Sequence, residues 1–130
     1  MTFGGLVEHS LTLGPIEDSA GDESWLVWRA PTALEIKRAY AVSTGTTAGS
    51  TANYFSLQLQ NGGQDGAGTA AVTAAAGGTP GWAADTPKQM SVSEGTLAEG
   101  DWLKVVYNEE GTVAPGDLTV TLDYVLGTGA

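Results

Sequence analysis

The segment DLTVTLDYVLG, ending at Gly127, leaves little choice of secondary structure. Leu118, Val120, Leu122, Tyr124 and Leu126 recur at every second position, with Thr119, Thr121 and Asp123 between them. Successive side chains of a strand point to opposite faces, so this run predicts a strand with one apolar and one polar face, where a helix would scatter the same residues around its axis.

The same period recurs upstream. WLKVVYNEEG sets Leu103, Val105 and Tyr107 against Trp102, Lys104 and Val106, and the turn residues from Asn108 to Gly116 predict a hairpin with the closing strand. LEIKRAYAV places Leu34, Ile36, Arg38, Tyr40 and Val42 on one face, and NYFSLQLQ does so for Phe55, Leu57 and Leu59. NGGQDGAG follows, and its Asn-Gly and Asp-Gly pairs tolerate the positive φ of tight hairpin turns. Weaker strands are expected over Gly5 to Leu13, Ser24 to Ala30, Thr69 to Ala75 and Lys88 to Glu94. Together these make about eight strands punctuated by Gly and Pro, which predicts an all-β, single-domain β-sandwich or jelly roll. The predicted core comprises Ile36, Tyr40, Phe55, Leu57, Leu59, Leu103, Val105, Tyr107, Leu118, Val120, Leu122 and Tyr124. Residues 1–14 read as an extended N-terminal arm, set off by a Gly-Pro break and an acidic loop from the sandwich over residues 15–130.

Charge narrows the partners. Five basic residues face fifteen acidic ones, for a formal charge of −10. Phosphate binding depends on clustered Lys and Arg, so nucleic acid and anionic membranes are poor partners for such a surface. No stretch is long and apolar enough to span a bilayer as a helix, and the first residues lack a secretory leader, which predicts a cytoplasmically made protein.

Candidate chemistry is sparse. There is no cysteine and one histidine, His9, so neither a thiolate site nor a multi-histidine metal centre can be assembled, and no catalytic residue or cofactor is assigned. Glu17, Asp18, Asp22 and Glu23 crowd one loop without the alternate-position ligands and central glycine of a calcium loop, and they read as a solvated acidic loop. Gly66, Gly68 and Ala71 satisfy G-x-G-x-x-A with Asp85 downstream, but the Gly/Pro-rich segment that follows has no helix for a dinucleotide to sit on; a hairpin turn is the expected role. Of the four tryptophans, Trp25 and Trp28 are three apart and are expected on opposite strand faces, while Trp82, in a long loop, is the candidate exposed aromatic for binding a glycan.

From Leu34 to Gly127 the chain resembles the small jelly-roll decoration proteins, or head-cement proteins, of tailed phages. The residues that carry the resemblance are the polar strand ending in Asn61-Gly62-Gly63, the phrase from Gly95 to Val105 in which L-x-x-G-D-x-L-x-V runs into the penultimate strand, and the alternating final strand. The resemblance implies a homotrimer on the outer capsid surface, at three-fold or quasi-three-fold sites, bound to the major capsid protein. An acidic protein outside the head also avoids the packaged phosphates. Leu6, Val7, His9, Leu11 and Leu13 of the arm are the candidate subunit or capsid contacts, since an amphipathic extended segment can add to a neighbour's sheet edge. The alternative reading is a carbohydrate- or receptor-binding sandwich, for example of a tail fibre.

With no fitting metal motif, the melting temperature is expected to be unmoved by EDTA. A fall of many degrees in a thermal melt would show that the acidic loop from Glu17 to Glu23, or another carboxylate set, binds an ion.

Overall fold

The computed structural model describes residues 7–17, 21–78 and 80–127. Among them there are ten strands and no helix: β1 (Glu8–Ile16), β2 (Glu23–Arg29), β3 (Leu34–Ser43), β4 (Tyr54–Gly63), β5 (Ala70–Ala71), β6 (Ala76–Gly77), β7 (Lys88–Met90), β8 (Thr96–Leu97), β9 (Trp102–Glu110) and β10 (Leu118–Leu126). They form two antiparallel sheets. One runs β1-β10-β3-β7 with β8 also on β3, and the other runs β2-β9-β4-β5 with β6 also on β4. If β5 with β6 and β7 with β8 are taken as two interrupted strands, each sheet has four positions, and β1 to β4 alternate between the sheets. This connectivity is that of a jelly roll.

The hairpin expected between the last two long strands does not form. β9 ladders with β2 and β4, β10 ladders with β1 and β3, and residues 111–117 cross from one sheet to the other. Each is thereby an inner strand with two ladder partners, which a two-stranded ribbon would not give it. The turn after β4 does form a hairpin: Gln60 opposes Ala71 and Asn61 opposes Ala70, with Gly66 at φ 80° in the connection.

The core lies between the sheets. Leu103, Val105 and Tyr107 from β9 meet Leu118, Val120 and Leu122 from β10, together with Ile36, Phe55, Leu57 and Leu59. Fully burying each such side chain contributes on the order of 1.5–3 kcal/mol. Two of the predicted core residues lie elsewhere. Lys37 is an extra residue in β3, since Asp123 opposes Arg38 and Tyr124 opposes Ile36. One inserted residue inverts the facing of everything beyond it. Ala39 and Ala41 therefore turn inward, fully buried, and Tyr40 and Val42 lie half-buried on the outer face beside Pro87 and Thr121. Tyr124 is half-buried at the margin of the core, and Leu126 is exposed.

Trp82, expected to be exposed, is 5% accessible. Its backbone exchanges two hydrogen bonds with Thr47, at 2.8 and 2.9 Å, which folds the loop back onto the sandwich. The indole stacks parallel on Phe55 with centroids 4.8 Å apart, and the Lys88 ammonium lies 5.7 Å from the indole centroid. Phe55 in turn stacks on Tyr107. The Trp82 Nε1 is buried with no hydrogen-bond partner, so stacking and burial hold the ring in place.

These placements separate two residues of similar size. Trp82→Ala is expected to cost about 3–5 kcal/mol, whereas Tyr40→Ala, on the outer face, is expected to cost less than about 1 kcal/mol. Equilibrium urea unfolding of the two variants checks both.

Candidate interaction surface

The four sheet edges differ. On one flank β5 to β8 are two or three residues long, and such short edge strands offer little for another chain to pair with. On the opposite flank β1 and β2 are nine and seven residues long and adjoin each other. A groove of about 600 Å³ opens between them, walled by Gly14, Pro15, Ile16 and Glu17 on one side and by Glu23, Trp25, Leu26 and Val27 on the other.

A second inserted residue shapes this flank. Leu26 opposes Lys104 and Trp28 opposes Leu103, so Val27 bulges out of register in β2. Trp25 and Trp28, expected on opposite faces, therefore both turn towards the core. Trp25 tilts against Tyr107 at 6.5 Å, and Trp28 against Tyr124 at 5.3 Å. Both stay partly accessible at the flank, as does Val27, while Leu26 on the outer face is exposed.

The arm residues divide along β1, which pairs with β10 of its own chain from Glu8 opposite Val125 to Ile16 opposite Leu118. The strand runs through the Gly14-Pro15 break, so the boundary expected at residue 14 falls inside β1. Leu13 is buried in the core, while Leu11 packs against it and stays partly accessible. Val7 is exposed, and the exposed His9 ring stacks on Tyr124 at 5.4 Å. Leu6 lies outside the described residues. Sequence reading thus found strand character here but assigned it to an arm for a neighbour's sheet, and it missed Trp25, Leu26, Val27 and Trp28. Four consecutive apolar residues in a strand otherwise governed by alternation were the available signal.

The groove borders the acidic end of the sandwich. Asp22 Oδ1 accepts a hydrogen bond from the Glu109 N–H at 2.8 Å, and the Tyr107 hydroxyl donates to Glu109 Oε1 at 2.6 Å, which gathers these carboxylates near Glu23. Among the described residues, no group of three or more His, Asp or Glu is placed to hold a metal ion.

Two other carboxylates are structural hinges. Asp101, in the L-x-x-G-D phrase, accepts from the Ala98 N–H at 2.9 Å, from Asn61 at 3.1 Å and from Gln64 at 2.8 Å, tying the turn before β9 to the end of β4. Burial opposes its ionisation, but those three donors together hold its carboxyl below the ordinary value. Gly100 beside it has φ 88°, and a Cβ there would meet the Gln64 and Arg29 side chains. Asp123 accepts from the Ser10 hydroxyl at 2.7 Å and from Arg38 at 3.2 Å, and Arg38 also pairs with Glu8. The Ser10 bond foremost, with Arg38, outweighs a smaller burial effect and holds Asp123 below the ordinary value.

No known protein-family model matches the chain, and no curated protein matches it. Among solved structures the chain is similar to one described as the structure of infectious bursal disease virus, Gx strain. The two share 17% sequence identity with a TM-score of 0.42, over 95% of this chain and 34% of that one.

A carboxylate with a lowered folded-state pKa stabilises the fold above its unfolded-state value, and that stability is lost as pH falls through the folded-state value. Melting temperature is therefore expected to drop on acidification below about pH 5, and Asp101→Asn is expected to flatten the drop. Melts of wild type and variant across the acid range check this.

Proposed function

We propose that this protein is a virion structural component that decorates and stabilises the outer surface of a tailed-phage capsid, as a homotrimer at three-fold or quasi-three-fold sites. The observation that carries the reading is the asymmetry of the sandwich, with short edges on one flank and two long edge strands bordered by partly accessible tryptophans on the other. Capsid proteins are among the common uses of the jelly roll. The L-x-x-G-D phrase, on which the resemblance partly rests, has a structural role here: Leu97 is buried, Gly100 turns the chain and Asp101 ties the turn. The formal charge of −10 favours the outside of a DNA-filled head. In this reading the partners are the chain itself and the major capsid protein, and the protein has no catalytic activity, metal or cofactor.

A second reading, a glycan-binding module, draws on the cluster of Trp28, Tyr124 and His9 at the flank, because aromatic faces stack on sugars. The buried Trp82 takes no part in it.

Deleting residues 1–14 would strip most of β1 from β10 and uncover the core, so truncation is not a clean test. The informative experiment mixes the intact protein with expanded, undecorated heads assembled from the major capsid protein of a tailed phage whose genome encodes this chain. Saturable binding at three-fold positions in cryo-electron microscopy, together with a trimer by light scattering, is the expected outcome. A monomer that ignores the heads and binds on a glycan array would favour the second reading.

A further inference from the structure

β2 stands out among the edges. β1 carries Pro15, which lacks an N–H, and the other flank is divided into segments of two or three residues. Folded proteins guard edge strands with such devices, or with an inward charge or a lysine along the strand. β2 has neither a proline nor a lysine along its length, and the bulge at Val27 is its one interruption. Its sequence is ESWLVWR, with charges only at its two ends, and among the described residues it ladders with β9 alone. Its outer face shows Leu26 at 47% accessibility, and the groove of about 600 Å³ runs beside it. A long apolar edge with a single bulge for protection is open to pairing with another chain, which makes it a candidate acceptor.

We infer that the outer edge of β2, over residues 24–28, accepts an extended segment of a partner protein as an added strand, with a lysine or arginine of that segment lying towards the Glu17 and Glu23 end of the groove. Charge selects the occupant. A second copy would bring another net −10 to an end where Asp22, Glu23, Glu109 and Glu110 already gather, whereas a cationic segment is drawn to it. Backbone hydrogen bonds to β2 would supply affinity, and the partly accessible Trp25, Val27 and Trp28 would pack the segment's alternate side chains. That the donor of the segment is the coat protein rests on the decoration reading; that β2 accepts a cationic strand does not.

The probe is a capped peptide of alternating valine and threonine, long enough to span β2, with lysine at each end; its twin carries glutamate instead. The lysine peptide is expected to slow hydrogen exchange at the amides of residues 24–28 and to shift tryptophan emission saturably. The glutamate twin, and the lysine peptide with L26K or S24K protein, are each expected to bind about tenfold more weakly; a thermal melt of each variant confirms its fold. Unchanged exchange over residues 24–28, or equal binding of the twin, overturns the inference. So does peptide-free protection of these amides that rises with protein concentration, since that assigns the edge to a second copy. Exchange on the head-bound protein separates the two readings. Binding to heads with β2 amides still fast refutes strand addition and leaves decoration standing. Peptide capture without head binding refutes decoration and leaves the acceptor edge standing.

Discussion

Apposition of the inner faces of β9 and β10 is the contact on which the rest of the sandwich depends. Each strand lies between two ladder partners, so its apolar side chains are fixed in register on both edges before they meet those of the other sheet. Leu103, Val105 and Tyr107 thereby fall in one core with Leu118, Val120 and Leu122. The loops then add to a surface already made, with Trp82 closing one side against Phe55.

Strand existence was legible because alternation is local. All four strongly alternating runs are strands, and their predicted core residues are buried except Tyr40, beyond the insertion in β3, and Tyr124, half-buried near the end of β10. Pairing was not legible, because a ladder joins residues far apart in sequence, and a short turn-like connection between two good strands looks the same whether it closes a hairpin or crosses between sheets. Facing failed at Lys37 and Val27 for a different reason. A bulge depends on the length of the partner strand, and neither residue type marks it. Gly62, a buried glycine at the corresponding irregularity in β4, and Gly14-Pro15, at that in β1, are the positions where composition gave a hint.

The candidate surface shows the same division. The amphipathic character of Val7 to Leu13 was read correctly as strand, but half of its apolar side is spent inside its own chain. The neighbouring β2 carries the accessible apolar residues, because its inserted Val27 brings two tryptophans to one side. Reading Trp82 as exposed followed from its Gly- and Pro-rich surroundings. A bulky aromatic among small residues instead serves as the anchor that lets such a loop lie flat.

The pairing of β1 with β10 also orders events during synthesis. Ser10 donates to Asp123, 113 residues away in sequence, and among the described residues β1 ladders with β10 alone, so it has no ladder until β10 is made. During that interval the nascent protein holds an apolar segment without its permanent neighbour. Contacts of this span are slow to close. Low hydrophobicity outside the alternating faces and a large excess of negative charge then act in time as well as in space, keeping ribosome-bound chains apart until the last strand arrives.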